Sequence, residues 1–166
     1  SFLRKLLMRP ERYYHQSVGF YEHMPAWRVR AYVGEEVWRS YFKFAFDRNP
    51  WDRQVSFYHH RYRNEKVPPS FASFMHEDAR ARIDNYDIYS IDGDVAVDFV
   101  GRYESLADDL KLALSHVGLS LEAELPRAKT TFRRSTLPYR DYYDDDTRGL
   151  VARWYAREIE LLDYEF

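Results

Sequence analysis

Several residues that could together form an anion site occur in FKFAFDRNPWDRQVSFYHH, which spans residues 42–60. Arg48 carries a guanidinium group that can hold a phosphate or sulfate through two parallel hydrogen bonds. Asn49 is a favourable helix cap and Pro50 a favourable first helical residue. At such a helix start, unpaired backbone N–H groups and the helix dipole stabilise an anion. Ser56 lies farther along the same segment, where its hydroxyl could add a hydrogen bond.

A purely structural interpretation of these residues is also open. Two aspartates flank the arginine, so Arg48 could pair with Asp47 or Asp52 instead of a ligand. Ser56 would then be an ordinary surface residue of a helix. Because a single arginine before a helix is a weak signal, the residues alone do not decide between an anion site and a local ion pair.

The spacing of apolar residues predicts that a strand leads directly into a helix at this point. Phenylalanines alternate with other residues through 41–47, which is typical of a strand. The period then changes to that of a helix over 50–65, with one apolar stripe. The members of the stripe are Trp51, Val55, Tyr58 and Tyr62. In an open α/β sheet, ligands bind where strand C-termini meet helix N-termini, so this turn is a favourable place for a site.

The rest of the chain predicts further helices and strands. The predicted helices cover 2–8, 25–39 with an interruption at Gly34, 70–78, 105–117 with Ser105 as cap and Gly118 as stop, and 145–162. Residues 87–101 predict two strands joined by a turn at Asp92-Gly93, and 126–140 predict a basic loop. Alternating strands and helices indicate an α/β layered domain, and 166 residues favour a single domain over 1–166.

The composition favours a folded chain with a local anion site. Hydrophobic residues make up 45% and aromatic residues 18%, which is too apolar for a disordered chain. The net charge of −2 argues against a dedicated nucleic-acid partner, although basic residues cluster at 53–66 and 127–134. The absence of cysteine excludes disulfides and fits a cytoplasmic setting. No apolar run in the sequence is long enough to span a membrane.

Other reaction classes lack their characteristic residues in this sequence. No HExxH motif and no cysteine supports a zinc site, and no GxSxG segment supports a hydrolase. Asp144-Asp145-Asp146 lacks the spacing and the glycine of a calcium loop, so it is expected to begin a helix. The run HHRYR at 59–63 could touch RNA, but the net charge disfavours that role. We therefore expect no metal and no nucleic-acid partner.

Several segments, in order, resemble one enzyme family. The pattern F-x-F-x-R-N-P-W-D-R-x-V-S-x-Y at 44–58, V-G-R-Y-E-S-L at 100–106 and the ending Y-E-F resemble sulfotransferases of the carbohydrate sulfotransferase-like family 2 branch. The resemblance implies a three-layer α/β/α fold with a central, P-loop-like parallel sheet. It implies an enzyme that transfers a sulfuryl group from 3′-phosphoadenosine 5′-phosphosulfate (PAPS) to a hydroxyl of a carbohydrate or similar acceptor. A non-catalytic relative that binds a nucleotide or glycan is the alternative.

The resemblance also implies roles for individual residues. Arg48 and Ser56 would contact the 3′-phosphate of the nucleotide. Arg133 or Arg134 would close over the same phosphate, unless their basic loop is merely solvated. The family's first phosphate loop, P-K-x-G-x-T-S, is absent from the sequence. We therefore expect Ser1 to be the last residue of that loop, with the preceding strand and lysine missing.

The segment EHMPA at 22–26 resembles the family's H-x-x-A segment, which makes His23 the expected catalytic base. A histidine that caps the helix beginning near Pro25 explains the same pattern, and Glu22 is a competing base. His59 and His60 are expected in an acceptor groove or on the surface. A P-loop nucleotide kinase, a third hypothesis, would need an ATP loop and a magnesium carboxylate that the sequence does not show.

Overall fold

The computed structural model describes residues 19–78, 81–83, 85–120, 125 and 137–166. These residues belong to two compact units. The first unit holds the described residues up to Tyr41 together with Asp87–Ala96. The second unit holds those of Phe42–Tyr86 and Val97–Phe166. The helix predicted at 2–8 and most of the basic loop predicted at 126–140 lie outside the described residues.

Short helices and strands alternate along the described chain. The α-helices are α1 Ala26–Val33, α2 Glu35–Ser40, α3 Pro50–Arg61, α4 Phe71–Glu77, α5 Tyr86–Tyr89, α6 Leu106–Ser115, α7 Asp145–Trp154 and α8 Ala156–Leu162. The strands are β1 Phe44–Asp47, β2 Ser90–Ile91, β3 Asp94–Val95 and β4 Phe99–Arg102, and 3-10 turns cover Tyr103–Ser105 and Tyr139–Tyr142. The helices predicted at 25–39, 50–65, 70–78 and 105–117 are confirmed, with shorter bounds.

A parallel strand pair carries the candidate site in the second unit. Strand β1 pairs with β4 from Phe44 opposite Phe99 to Asp47 opposite Arg102. Gly101 permits close packing here, because a Cβ atom at this position would lie 2.5 Å from Cε1 of Phe46. The α/β class with a parallel sheet is confirmed, and the parallel sheet has two strands in the part of the chain that the structure describes.

Helix α3 is specified by local sequence at its start and by its apolar stripe along its length. The side chain of Asn49 caps the helix and Pro50 is its first residue, as predicted. Trp51, Val55 and Tyr58 are buried, and Tyr62 packs against their cluster. Fully burying one such side chain contributes on the order of 1.5–3 kcal/mol, so this stripe fixes the helix on the core. The other buried hydrophobic members of the core are Phe71, Phe74, Met75, Ala81, Val151, Tyr155, Leu162 and Tyr164.

The predicted single helix over 145–162 is wrong, because the chain breaks at Tyr155 between α7 and α8. Tyr155 has φ −120° and ψ 29°, outside helical geometry. Its buried hydroxyl donates to Oε1 of Gln54 at 3.1 Å and accepts the N–H of Ile83 at 2.8 Å. The acidic start of α7 is confirmed, since Asp144 forms a capping box with Thr147.

The described residues of the first unit include helices α1 and α2 and a small hairpin. Gly34, with φ 85°, separates α1 from α2 as predicted. Strands β2 and β3 are antiparallel around Asp92-Gly93, where both residues have the positive φ of a two-residue hairpin turn. The predicted first strand is wrong over 87–89, which belong to helix α5, and the predicted continuous second strand is also wrong. It stops at Val95, and the chain resumes as β4, which pairs with β1 in the second unit.

The start of α6 differs from the prediction in one detail. Ser105 is the residue before the helix, but its side chain makes no capping bond. A 3-10 turn precedes the helix instead, and the hydroxyl of Ser105 donates to Oδ2 of Asp109 at 3.0 Å. Among the described helices, none combines the length and apolar character needed to cross a membrane.

Candidate functional site

The strand-to-helix turn between β1 and α3 is the centre of the candidate site. Oδ1 of Asn49 accepts the backbone N–H of Trp51 at 3.1 Å and that of Asp52 at 3.5 Å. The backbone N–H of Asn49 donates to Oε1 of Glu104 at 2.8 Å. Pro50 has no N–H to offer. The backbone donors at this helix start are therefore used internally, so an anion here would have to be held by side chains and the helix dipole.

Arg48 follows the last residue of β1 and is held on three sides. Its backbone N–H donates to Oδ1 of Asp47 at 2.7 Å. Its guanidinium donates from Nε at 2.8 Å and from Nη2 at 2.5 Å to Oδ2 of Asp52. One face of the guanidinium lies over the ring of Tyr103, 4.9 Å from the ring centre. The ion pair with Asp52, one of the two alternatives open from the sequence, is formed.

The same contacts leave one edge of the Arg48 guanidinium available. Asp52 occupies the edge formed by Nε and Nη2, while Nη1 makes no hydrogen bond with any described residue. A guanidinium has a second pair of parallel donors along the edge formed by Nη1 and Nη2. The side chain is 26% exposed, so this edge is within reach of a ligand. Pairing with Asp52 and bidentate binding of an anion are therefore compatible at the same arginine.

Ser56 lies in α3 and is half-buried. Its hydroxyl has no hydrogen-bond partner within the described ranges. A serine in a helix interior often returns its hydroxyl to a backbone carbonyl one turn earlier, and this one does not. The hydroxyl of Ser56 can therefore donate a hydrogen bond to a ligand without breaking an existing contact.

Behind the turn, a buried ionic network fixes the backbone that carries Arg48. The carboxylate of Asp47 is fully buried. It accepts hydrogen bonds from Nη1 of Arg53 at 2.6 Å and from Nδ2 of Asn85 at 2.8 Å. Arg53 also reaches Oε1 of Glu158 at 3.4 Å, and burial raises the pKa of the Glu158 carboxyl. Sequence reasoning did not assign these roles. The sequence indicated only that Asp47 and Asp52 flank Arg48 and could pair with it.

Glu104 and Tyr164 support the turn from distant parts of the chain. One oxygen of Glu104 accepts the Asn49 N–H, and the other lies 3.1 Å from the hydroxyl of Tyr164. The same hydroxyl lies 3.1 Å from the backbone oxygen of Asp47. Burial raises the pKa of Tyr164, so its hydroxyl stays protonated and keeps donating. Residues of the segment at 100–106 and of the C-terminal Y-E-F thus contact the turn within the segment at 44–58.

His23 is exposed and belongs to the first unit. It lies in a turn closed by the Met24 N–H donating to the Tyr21 oxygen at 3.2 Å, and it has the left-handed φ of 57°. Helix α1 begins after Pro25 without any side-chain cap, so His23 does not cap it. Glu22, the competing base, is also exposed. A non-glycine residue held at positive φ is strained, which is common at functional positions.

The remaining candidates divide between the described and undescribed parts of the chain. Arg133 and Arg134 lie outside the described residues, so their expected contact with a phosphate stays a prediction. His59 lies at α3, with Nε2 2.9 Å from the hydroxyl of Tyr142, and His60 is exposed. Within the described ranges, no group of three histidine or carboxylate side chains is arranged to hold a metal ion.

Comparisons with known proteins support the resemblance found in the sequence. A family model described as "Sulfotransferase family" matches residues 9–165. An uncharacterized protein of the archaeon Archaeoglobus fulgidus is 34% identical over 106 residues, covering 61% of this chain and 88% of the relative. No solved structure matches the chain.

Proposed function

The chain belongs to the sulfotransferase family, and we propose that it transfers a sulfuryl group from PAPS to a hydroxyl of a carbohydrate or a similar acceptor. One observation carries the nucleotide part of this proposal. At the end of β1, Arg48 keeps a pair of parallel donors available, and α3 offers an uncommitted hydroxyl at Ser56. An arginine with a free bidentate edge is well suited to a phosphate such as the 3′-phosphate of PAPS.

In the proposed reaction, the acceptor oxygen attacks the sulfur atom of PAPS. A sulfur–oxygen bond forms to the acceptor, and the bond from sulfur to the 5′-phosphate oxygen breaks. Adenosine 3′,5′-bisphosphate leaves with the bonding electrons, and the acceptor proton passes to a base, for which we propose His23. Since the transferred group carries most of the charge change, the protein acts chiefly by positioning the two substrates and stabilising charge.

Arg48, Ser56 and either Arg133 or Arg134 form the proposed 3′-phosphate site. Asp52 orients the arginine, because it fixes two of its nitrogens while Tyr103 fixes its plane. The ordering of a long side chain in advance lowers the entropy lost when the nucleotide binds. The resemblance implies that a P-K-x-G-x-T-S segment holds the 5′-phosphosulfate end of PAPS, and this segment does not occur in the given sequence.

The second candidate function is a non-catalytic nucleotide- or glycan-binding relative that keeps the 3′-phosphate site. The two candidates separate in one assay, in which the chain is incubated with PAPS and neutral or acidic oligosaccharides and release of adenosine 3′,5′-bisphosphate is measured. The proposed enzyme gives release that depends on the acceptor. Binding of the bisphosphate without any acceptor-dependent release identifies the non-catalytic relative.

Nucleotide binding itself is tested by calorimetric titration with adenosine 3′,5′-bisphosphate and with adenosine 5′-monophosphate. A charge-assisted hydrogen bond contributes roughly 1.5–3 kcal/mol, so we expect the bisphosphate to bind roughly 10- to 150-fold more tightly. An exposed arginine in the first unit, Arg39, pairs with Glu35 and serves as the control position for Arg48. Equal affinity for the two nucleotides would remove the basis of the proposal.

A further inference from the structure

A cleft in the second unit is lined by described residues other than Arg48 and Ser56. Its volume is about 300 Å³, which is at the lower end of the range of small-molecule sites. It lies between the C-terminal half of α3, the connection to α4 and the 3-10 turn Tyr139–Tyr142. The residues that line it are Tyr58, His59, Tyr62, Pro68 and Tyr142.

The aromatic walls of this cleft are fixed before any ligand binds. The hydroxyl of Tyr58 donates to the backbone oxygen of Pro69 at 2.6 Å, and that of Tyr62 donates to Oδ2 of Asp78 at 3.2 Å. The rings of Tyr58 and Tyr62 pack with centres 5.4 Å apart. Since these side chains are already ordered, a ligand that packs on them would lose little additional protein entropy.

One polar pair lies in the otherwise apolar wall. Nε2 of His59 is 2.9 Å from the hydroxyl of Tyr142, and the two rings meet edge to face at 5.4 Å. An imidazole and a phenol can each donate or accept a hydrogen bond. Among the described residues, those that line the cleft include no carboxylate, lysine or arginine. These residues therefore offer apolar ring faces and a few hydrogen-bonding atoms, and no carboxylate, lysine or arginine that would select a charged ligand.

We propose that this cleft binds a neutral pyranose ring. The C–H faces of a sugar ring are apolar and pack on tyrosine and proline, while its equatorial hydroxyls suit the His59–Tyr142 pair. A charged sugar would leave its charge unpaired against an apolar lining, which is unfavourable. A phenol would satisfy the apolar walls but would offer one hydroxyl to the hydrogen-bonding atoms of the cleft, so a sugar with several hydroxyls fits better.

The cleft adjoins the proposed nucleotide site along α3. His59 follows Ser56 by three residues, a rise of about 4.5 Å along the helix axis. The role of this ligand rests on the proposed function. In that reaction, the bound ring would be a non-reacting unit of the carbohydrate acceptor. Binding energy from such a remote unit can be used to position the reacting hydroxyl.

The test is an NMR titration of the full chain, labelled in its tyrosine rings, with methyl β-D-glucopyranoside and methyl β-D-galactopyranoside and no nucleotide. At least one glycoside should shift the Tyr62 and Tyr142 resonances saturably, and glucuronic acid and phenol should bind more weakly. Y142F should weaken glycoside binding about fivefold, the effect of one net hydrogen bond. H59A, which also removes part of the wall, should weaken it further, whereas H60A should leave it unchanged.

The proposal is overturned if neither glycoside binds, if glucuronic acid or phenol binds more tightly, or if Y142F and H59A both bind the glycoside as the unaltered chain does. Its failure can be distinguished from failure of the proposed function. R48A should strongly reduce the preference for the bisphosphate nucleotide and leave glycoside binding intact. Y142F should weaken glycoside binding and leave the preference for the bisphosphate nucleotide intact. Because Y142F keeps the aromatic ring, it should fold normally.

Discussion

The buried contact between Arg53 and Asp47 should be one of the most sensitive points of the second unit. The side chains of Asp47 and Glu158 are 0% and 4% exposed, and Arg53 is the cation that lies between them. Replacing Arg53 with methionine keeps a long side chain against the Tyr155 ring, over which the guanidinium lies at 4.5 Å. It also removes the guanidinium that pairs with the buried carboxylates of Asp47 and Glu158. Removing one partner of a buried pair typically costs about 3–5 kcal/mol.

We therefore expect R53M to lower the free energy of unfolding by about 3–5 kcal/mol at pH 7. Denaturant titration followed by tryptophan fluorescence measures this quantity. The matched control is R39M, since Arg39 forms an exposed ion pair with Glu35 and is 76% exposed. An exposed pair is worth about 0–1 kcal/mol, so this control should change little.

The loss in R53M should also depend on pH. Burial already raises the pKa of Glu158, and removal of the guanidinium should raise it further. A carboxyl whose folded pKa is raised favours the folded state below its unfolded pKa, and this contribution is lost as pH rises through the folded pKa. The deficit of R53M should therefore shrink as pH falls from 7 toward 4. A loss below about 1 kcal/mol at pH 7, or a deficit that grows on acidification, would refute this account of the network.

Three further substitutions test other parts of the structure. N49A removes the cap of α3 and should lower the free energy of unfolding by about 1–2 kcal/mol, measured by denaturant titration; no loss would contradict the capping role. G101A places a Cβ atom 2.5 Å from Phe46 and should cost about 1–3 kcal/mol in the same measurement, whereas wild-type stability would show that the strand pair has room. H23A should abolish acceptor-dependent release of the bisphosphate and keep nucleotide affinity; unchanged release would remove His23 from the proposed reaction.

Local sequence signals predicted the core of the candidate site well. The alternation of phenylalanines up to Phe46, the cap at Asn49 and the proline after it specify the strand, the turn and the helix within one short segment. The contacts that hold this turn could not be predicted in the same way. Glu104 and Tyr164 reach it from 55 and more residues away in sequence, and nothing in their local spacing indicates that contact.

Two of the incorrect element predictions, the single last helix and the continuous second strand, have a common physical cause. Periodicity detects which residues are apolar, but it does not show where the backbone must turn to satisfy a distant partner. Tyr155 interrupts the last helix where its hydroxyl meets Gln54 and Ile83 in the core. The strand predicted to continue past Val95 is divided because its second part pairs with β1 rather than with the hairpin. In both places tertiary contacts override the local pattern.

The central claim is that Arg48 recognises the 3′-phosphate of the nucleotide. Four affinities test it most directly: adenosine 3′,5′-bisphosphate and adenosine 5′-monophosphate, each binding to the unaltered chain and to R48A. We expect a preference of roughly 10- to 150-fold for the bisphosphate in the unaltered chain and a much smaller preference in R48A, which keeps Ser56 and the second arginine, with little change in affinity for the monophosphate. A preference that is undiminished in R48A would contradict the claim.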